Sequence, residues 1–350
     1  MATRLFCFSR PLRGRERFPV APGDAAGWFR KGCVAWLALL IGLATLDAGE
    51  DGAGRPLAWP PARSPALDAL VARAVDGVIR DFSSQGLQTN EIAVTLVDLS
   101  DSAHPVWASH RGGELIYPAS VVKLFYLVAA HQWMEDGRLE DSPELRRALR
   151  DMIVESYNEA THYIVDLLTG TTSGPELTDD SLRAWADHRN AVNRYFQSLG
   201  YAGINVNKKP WGEGPYGREM QAIQRFEPRR NGLTTDATAR LLASVATGNA
   251  VSAERSRQMM ALLRREVFAP VKDPEDQTHG FSGIALLDPR REGARIWSKA
   301  GWTSETRHDA AYLELPDGRK LVVVVFTTGH ANERNIIPGV VRGLLGGLPR

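Results

Sequence analysis

The chain has 350 residues, 43% hydrophobic and 24% charged, with a formal net charge of +1. That apolar content is enough for a sizeable core, and the near-neutral balance lacks the basic surplus of a nucleic-acid-binding domain. The two cysteines, Cys7 and Cys33, lie upstream of the globular portion, and basic pairs such as Arg229-Arg230 and Arg264-Arg265 read as solvated faces.

The first 48 residues carry seven Lys/Arg against three Asp/Glu. Arg30 and Lys31 precede a short uncharged apolar run from Gly32 to Ala44, whose length suits the core of a signal peptide better than a full membrane span. Residues 1–48 are therefore expected to be a targeting segment, a signal peptide or an anchor. Residues 49–63 read as a linker and 64–348 as the folded domain. Periplasmic or secreted residence follows, with a membrane tether if the segment is not cleaved.

Pro65 opens a first helix with apolar residues at Leu67, Leu70, Val71, Ala74, Val75, Val78 and Ile79. Two strands follow, Ile92 to Leu99 and Val106 to His110. Tyr117-Pro118-Ala119-Ser120 then leads into the apolar stretch Val121 to Ala130. Helices are expected over 143–155, 159–169, 181–197, 235–247 and 252–264, with Gly and Pro punctuating 200–217. The chain ends in strands Ala294 to Ser298, Ala310 to Leu315 and Lys320 to Thr327, the last two joined by Asp317-Gly318, and a helix over 331–345. Terminal strands can share one antiparallel sheet only if the chain returns to its start. The prediction is thus an α/β (α+β) fold of two lobes: an antiparallel sheet flanked by terminal helices, with an all-helical lobe, about 118–265, inserted between strands.

Lys123 is the first anomaly. The helix around it is apolar on nearly every face, and an isolated buried ammonium is costly, so this amine must be paired or partly deprotonated. Ser120 stands three residues earlier on the same helical face, where a desolvated lysine can serve as base for its hydroxyl. A helix N-terminus also offers free N–H groups to a developing oxyanion. The plain alternative makes Ser120 a helix cap and Lys123 a snorkelling side chain.

Two further motifs accompany this pair: Ser156-Tyr157-Asn158 between two helices, and Lys299-Ala300-Gly301 at the end of a strand. In this order they resemble the active-site serine β-lactamases and penicillin-binding proteins, whose signatures are Ser-x-x-Lys, Ser-x-Asn and Lys-Thr-Gly. The resemblance covers most of residues 62–348 and implies the two-lobed β-lactamase/transpeptidase-like fold. It implies Ser120 as nucleophile, Lys123 as base, Ser156 as proton relay, and Asn158 and Lys299 as substrate-binding groups. Gly301, Trp302 and Thr303 follow on the same strand, with an oxyanion hole from the N–H groups of Ser120 and Trp302. Class A resemblance extends to Arg307, expected to take a substrate carboxylate. It extends also to Arg225-Phe226-Glu227-Pro228-Arg229-Arg230-Asn231, where Glu227 would position the deacylating water or else be a surface carboxylate; Glu213 and Glu219 are fallbacks.

The chain departs from the pattern at Ala300, where a hydroxyl is usual and for which Thr303 or Ser304 could substitute, and at Tyr157, where class A has aspartate. His162 reads as structural. No His/Asp/Glu cluster has zinc spacing, so no metal and no cofactor are expected. The implied protein is an exported monomeric serine hydrolase acting on a small molecule, a β-lactam or cell-wall peptide. A D-Ala-D-Ala carboxypeptidase, or a penicillin-binding sensor that does not turn over, uses the same acylation apparatus.

Overall fold

A computed structural model describes residues 58–271 and 273–348. The expected targeting segment and residues 49–57 of the linker lie outside the described residues. The sheet has seven strands: β1 (Ala62–Arg63), β2 (Ile92–Asp98), β3 (Val106–His110), β4 (Arg264–Arg265), β5 (Arg295–Trp302), β6 (Thr306–Glu314) and β7 (Lys320–Thr328). Their order is β1-β3-β2-β7-β6-β5-β4. All neighbours are antiparallel except β1 and β3. N- and C-terminal strands meet at β2 and β7, paired from Ile92 opposite Thr327 to Asp98 opposite Leu321.

Both faces of the sheet are covered, which explains the unbroken apolar run of β7. Val322, Val324 and Phe326 enter one core, while Leu321, Val323 and Val325 enter the other. The second core is closed by α1 (Pro65–Asp81) and α10 (Ile336–Gly347), which pack on each other. Ser64 caps α1 by accepting from Leu67 N at 3.3 Å, and Pro65 takes the first helical position, where no N–H is needed.

The helices between β3 and β4 supply the first core: α2 (Lys123–Glu135), α3 (Pro143–Arg150), α4 (Asn158–Thr169), α5 (Asp179–Arg189), α6 (Ala191–Ser198), α7 (Gly217–Arg225), α8 (Thr235–Ala246) and α9 (Ala253–Leu263). α2 is buried along nearly its whole length, Lys123 included. The expected helix over 181–197 divides at Asn190, whose side-chain oxygen accepts from Asn193 and Asn207. The expected helix over 143–155 ends at Arg150 and continues as a π-turn, Asp151–Glu155. Among the described residues, no helix is long and apolar enough to cross a membrane.

Candidate active site

Ser120 lies in a short 3-10 turn, Ala119–Val122, that runs directly into α2. Ala119 has φ 45°, an uncommon conformation for a residue bearing a side chain, so the chain bends sharply just before Ser120. A buried histidine holds this bend from below: His308 Nε2 donates to Tyr117 O at 2.8 Å, while its Nδ1 accepts from Thr327 N at 3.1 Å. Those two partners fix a neutral tautomer, and burial lowers the pKa of His308 to about 4. The Ser120 hydroxyl, half-buried, has no hydrogen-bond partner among the described residues.

Lys123 turns its amine toward the second motif. Its Nζ lies 2.5 Å from Ser156 O, 3.2 Å from Ser156 Oγ and 3.0 Å from Asn158 Oδ1. Ser156 reaches this position because the π-turn ends in it with φ 61°, and Tyr157 N closes the turn on Asp151 O at 3.0 Å. Lys299 approaches the same hydroxyl from β5, with Nζ 2.9 Å from Ser156 Oγ and 2.7 Å from Ala300 O. One serine oxygen thus sits between two amines.

Both amines are fully buried, and among the described residues neither has a carboxylate within ion-pair distance. Sharing one oxygen, they lie no more than about 6 Å apart, so holding both charged costs about 3 kcal/mol at an effective dielectric constant of about 20. Burial lowers the Lys123 pKa to about 7, with Glu159 opposing the shift. Burial also holds Lys299 well below the ordinary lysine range, reinforced by the charges of Lys123 and Arg265. At least one amine is readily available as a base near neutrality.

Gln277 carried no motif signal in the sequence, yet it ties the two motifs together. Its Oε1 lies 2.5 Å from Lys299 Nζ and 3.2 Å from Ala300 N. Its Nε2 donates to Ile153 O at 3.1 Å and Val154 O at 2.8 Å. Arg265 does similar work, donating to Ser298 O and Ile153 O. Both residues clamp β5 to the π-turn that presents Ser156.

The ladder between β5 and β6 defines the oxyanion donors. Thr303 N donates to Thr306 O at 2.9 Å, so alternation leaves the N–H groups of Trp302 and Ala300 directed off the outer edge of β5. Gln277 takes Ala300 N. Trp302 N lies two residues further along that edge, beside the Ser120 turn. A Cβ at Gly301 would come within 2.6 Å of Ser120 N, so glycine is what lets the strand approach. Ser120 N has no backbone acceptor among the described residues.

Other expected site residues stand elsewhere. Lys299 is opposite Ala310, which puts residues 308, 310 and 312 of β6 on its face and Arg307 on the other. There Arg307, only 3% exposed, donates to Gly280 O at 2.8 Å and pairs with Glu275 at 3.0 Å, contrary to a role in meeting a substrate carboxylate beside Lys299. Strand parity, invisible in motif spacing alone, is the reason. The Glu227 carboxylate is turned to solvent: its side chain is 72% exposed and held by Arg229 through Nε at 2.7 Å and N at 3.1 Å. Glu213 is exposed, and Glu219 is buried against Arg189. The Thr303 hydroxyl accepts from Glu305 N and Thr306 N and so braces the β5–β6 hairpin, while Trp302 is exposed and rests on Phe281. His162 is structural in its contacts, bonded to Pro210 O and packed on Trp211.

A family model described as "Beta-lactamase enzyme family" matches residues 140–341, and the chain belongs to that family. The fold is similar to that of a beta-lactamase from Sphaerobacter thermophilus: 21% identity, TM-score 0.57, covering 81% of this chain and 99% of that one. PBP-A is similar at 18% identity and TM-score 0.55, covering 82% and 97%. A class A beta-lactamase representative from Bacteroides cellulosilyticus is similar at 16% identity and TM-score 0.53, covering 80% and 98%. No curated protein matches the chain by sequence. The expectation of a serine β-lactamase or penicillin-binding-protein-like chain of this fold is met.

Proposed function

We propose that the protein is an exported serine hydrolase that opens an amide or lactam bond through an acyl-enzyme on Ser120. The observation that carries this reading is the Ser156 hydroxyl held between two desolvated amines, one of them three residues from a free Ser120 hydroxyl. Neutral Lys123 takes the Ser120 proton as Oγ attacks the carbonyl carbon. The oxyanion forms against the N–H groups of Ser120 and Trp302. Ser156 then passes its proton to the leaving nitrogen and is reprotonated from Lys123, the C–N bond breaks, and Ser120 is left esterified. Water later cleaves the ester. Two buried amines with no carboxylate within ion-pair distance among the described residues favour a substrate bearing a carboxylate, as β-lactams and cell-wall peptides do. Arg30, Lys31 and the apolar run after them support export.

The position of Glu227 favours a second reading of the deacylation step. A carboxylate occupied by Arg229 and solvent does not activate water at Ser120, and the ester then persists, as in a penicillin-binding peptidase. That a PBP-A mutant has been solved as an acyl-enzyme complex with penicillin G is consistent with a lasting ester on this fold.

Labelling with a fluorescent penicillin tests the nucleophile. The protein should take one label per chain, and Ser120→Ala should take none; labelling that survives Ser120→Ala overturns the proposal.

A further inference from the structure

Ser120 is presented by a bend in a conformation that the chain does not prefer. Ala119 has φ 45°, and a residue bearing a side chain stays in that region only where its surroundings hold it. Backbone hydrogen bonds fix the two flanks: Ile116 and Leu233 exchange a pair at 2.9 Å, and Val121 N donates to Pro118 O at 3.0 Å. Tyr117 O lies between those flanks and accepts from no backbone N–H among the described residues. Its partner is the ring of His308, at 2.8 Å.

That ring belongs to the second strand in from the turn. His308 stands opposite Gly301 in the β5–β6 ladder, and a Cβ at Gly301 would come within 2.9 Å of Pro118 O. The turn therefore rests on bare backbone at Gly301, and the fully buried histidine of the next strand bonds it there. Phe326 lies against the ring, with centroids 4.6 Å apart. The two polar partners leave the ring one orientation. Thr327 N can only donate, so Nδ1 accepts; Tyr117 O can only accept, so Nε2 carries the proton.

We propose that His308 is a positioning residue for the nucleophile: its hydrogen bond to Tyr117 O keeps the Ala119 bend, and with it the Ser120 hydroxyl and N–H, in the attacking geometry. The proposal rests on the acyl-transfer reading of Ser120. Loss of this bond frees the Tyr117 peptide and lets Ala119 relax, and a displacement of about 1 Å at a reacting group can cost about 100-fold in rate.

Two variants of the full chain separate this bond from the general support that a buried ring gives, because each keeps one of the two partners. In His308→Gln the side-chain amide nitrogen falls near Nε2 and can donate to Tyr117 O. In His308→Asn the amide oxygen falls near Nδ1 and can accept from Thr327 N. Each loses one buried hydrogen bond, so both should lose thermal stability to a similar degree. With a fluorescent penicillin at varied concentration, His308→Asn should acylate about 10- to 100-fold more slowly at saturation, with the half-saturating concentration within about twofold of wild type. His308→Gln should recover to within about threefold of the wild-type rate. Equal losses in the two variants, a larger loss in His308→Gln, or an unchanged rate in His308→Asn overturn the proposal. Nuclear magnetic resonance supplies a readout that needs no activity. In the 15N-labelled wild-type chain the His308 ring should be protonated at Nε2 and bare at Nδ1, and the Ser120 amide signal should move in His308→Asn and hold in His308→Gln. A ring protonated at Nδ1, which needs no variant to detect, or a Ser120 amide indifferent to His308→Asn also overturns it. A folded wild-type chain that takes no label would sink the acyl-transfer reading instead, and the Ser120 amide would still decide whether His308 holds the turn.

Discussion

Two clusters of buried charge in this protein are built on opposite rules. In one, Arg189 donates to Asp166 at 3.2 Å and Glu219 at 2.7 Å, while Lys209 lies 2.7 Å from Asp166 and 2.8 Å from Ser173. Two cations meet two carboxylates, and Ser173 completes the set by donating to Glu219 at 2.8 Å. In the other, Lys123, Lys299 and Arg265 surround Ser156 with neutral oxygens for partners. The balanced cluster joins α4, α5 and α7 through paired opposite charges. The unbalanced one holds its amines below their ordinary range, a condition that costs stability and serves chemistry.

The comparison is sharpened most by Lys123→Met. Acylation by penicillin should slow about 10²–10⁴-fold, the usual worth of a general base, while the thermal midpoint moves by less than about 3 °C. Glu219→Gln should do the reverse. It leaves Arg189 and Lys209 short of a counter-charge and should lower stability to denaturant by about 3–5 kcal/mol, with the acylation rate of the folded protein within about threefold of wild type. A Glu219→Gln protein that is fully stable but inactive would break the distinction.

Gln277→Leu is expected between these limits. It frees Lys299 and Ala300 N and unclamps the π-turn, so acylation should fall about 10- to 100-fold through misplacement of Ser156, read as a drop in kcat with KM little changed. The smallest effects belong to the two class A expectations that the geometry sets aside. Glu227→Gln should change the release rate of bound penicillin by less than about twofold. Arg307→Lys should leave KM for penicillin within the same range, since the side chain lies on the far face of the sheet from Lys299.

Much of this was legible in the sequence because it is local. The i, i+3 relation of Ser120 and Lys123, the apolar helix that buries the lysine, and the strand from Lys320 to Thr327 all follow from residues close together in the chain. Ser156, Asn158 and Lys299 were found by motif order; in the structure Lys123 and Lys299 meet at Ser156 Oγ, and Asn158 accepts from Lys123. What escaped depends on three-dimensional closure. Gln277 acts across 22 residues to Lys299 and 124 to Ile153 from a stretch without periodicity. His308 adjoins a residue that drew attention, yet its role beneath Tyr117 spans 191 residues. Spacing gave neither the face of the strand on which Arg307 lies nor, of the two roles open for Glu227, the capture of its carboxylate by the arginine two residues on.

The central claim is that a desolvated Lys123 activates Ser120, and the pH dependence of the acylation rate tests it most directly. Followed by intact mass with a penicillin in excess, the rate should rise tenfold per pH unit while the amine is protonated and level off above about pH 7, the value to which burial lowers Lys123. A rate that is flat between pH 5 and pH 9, or that falls as the amine loses its proton, would contradict the account.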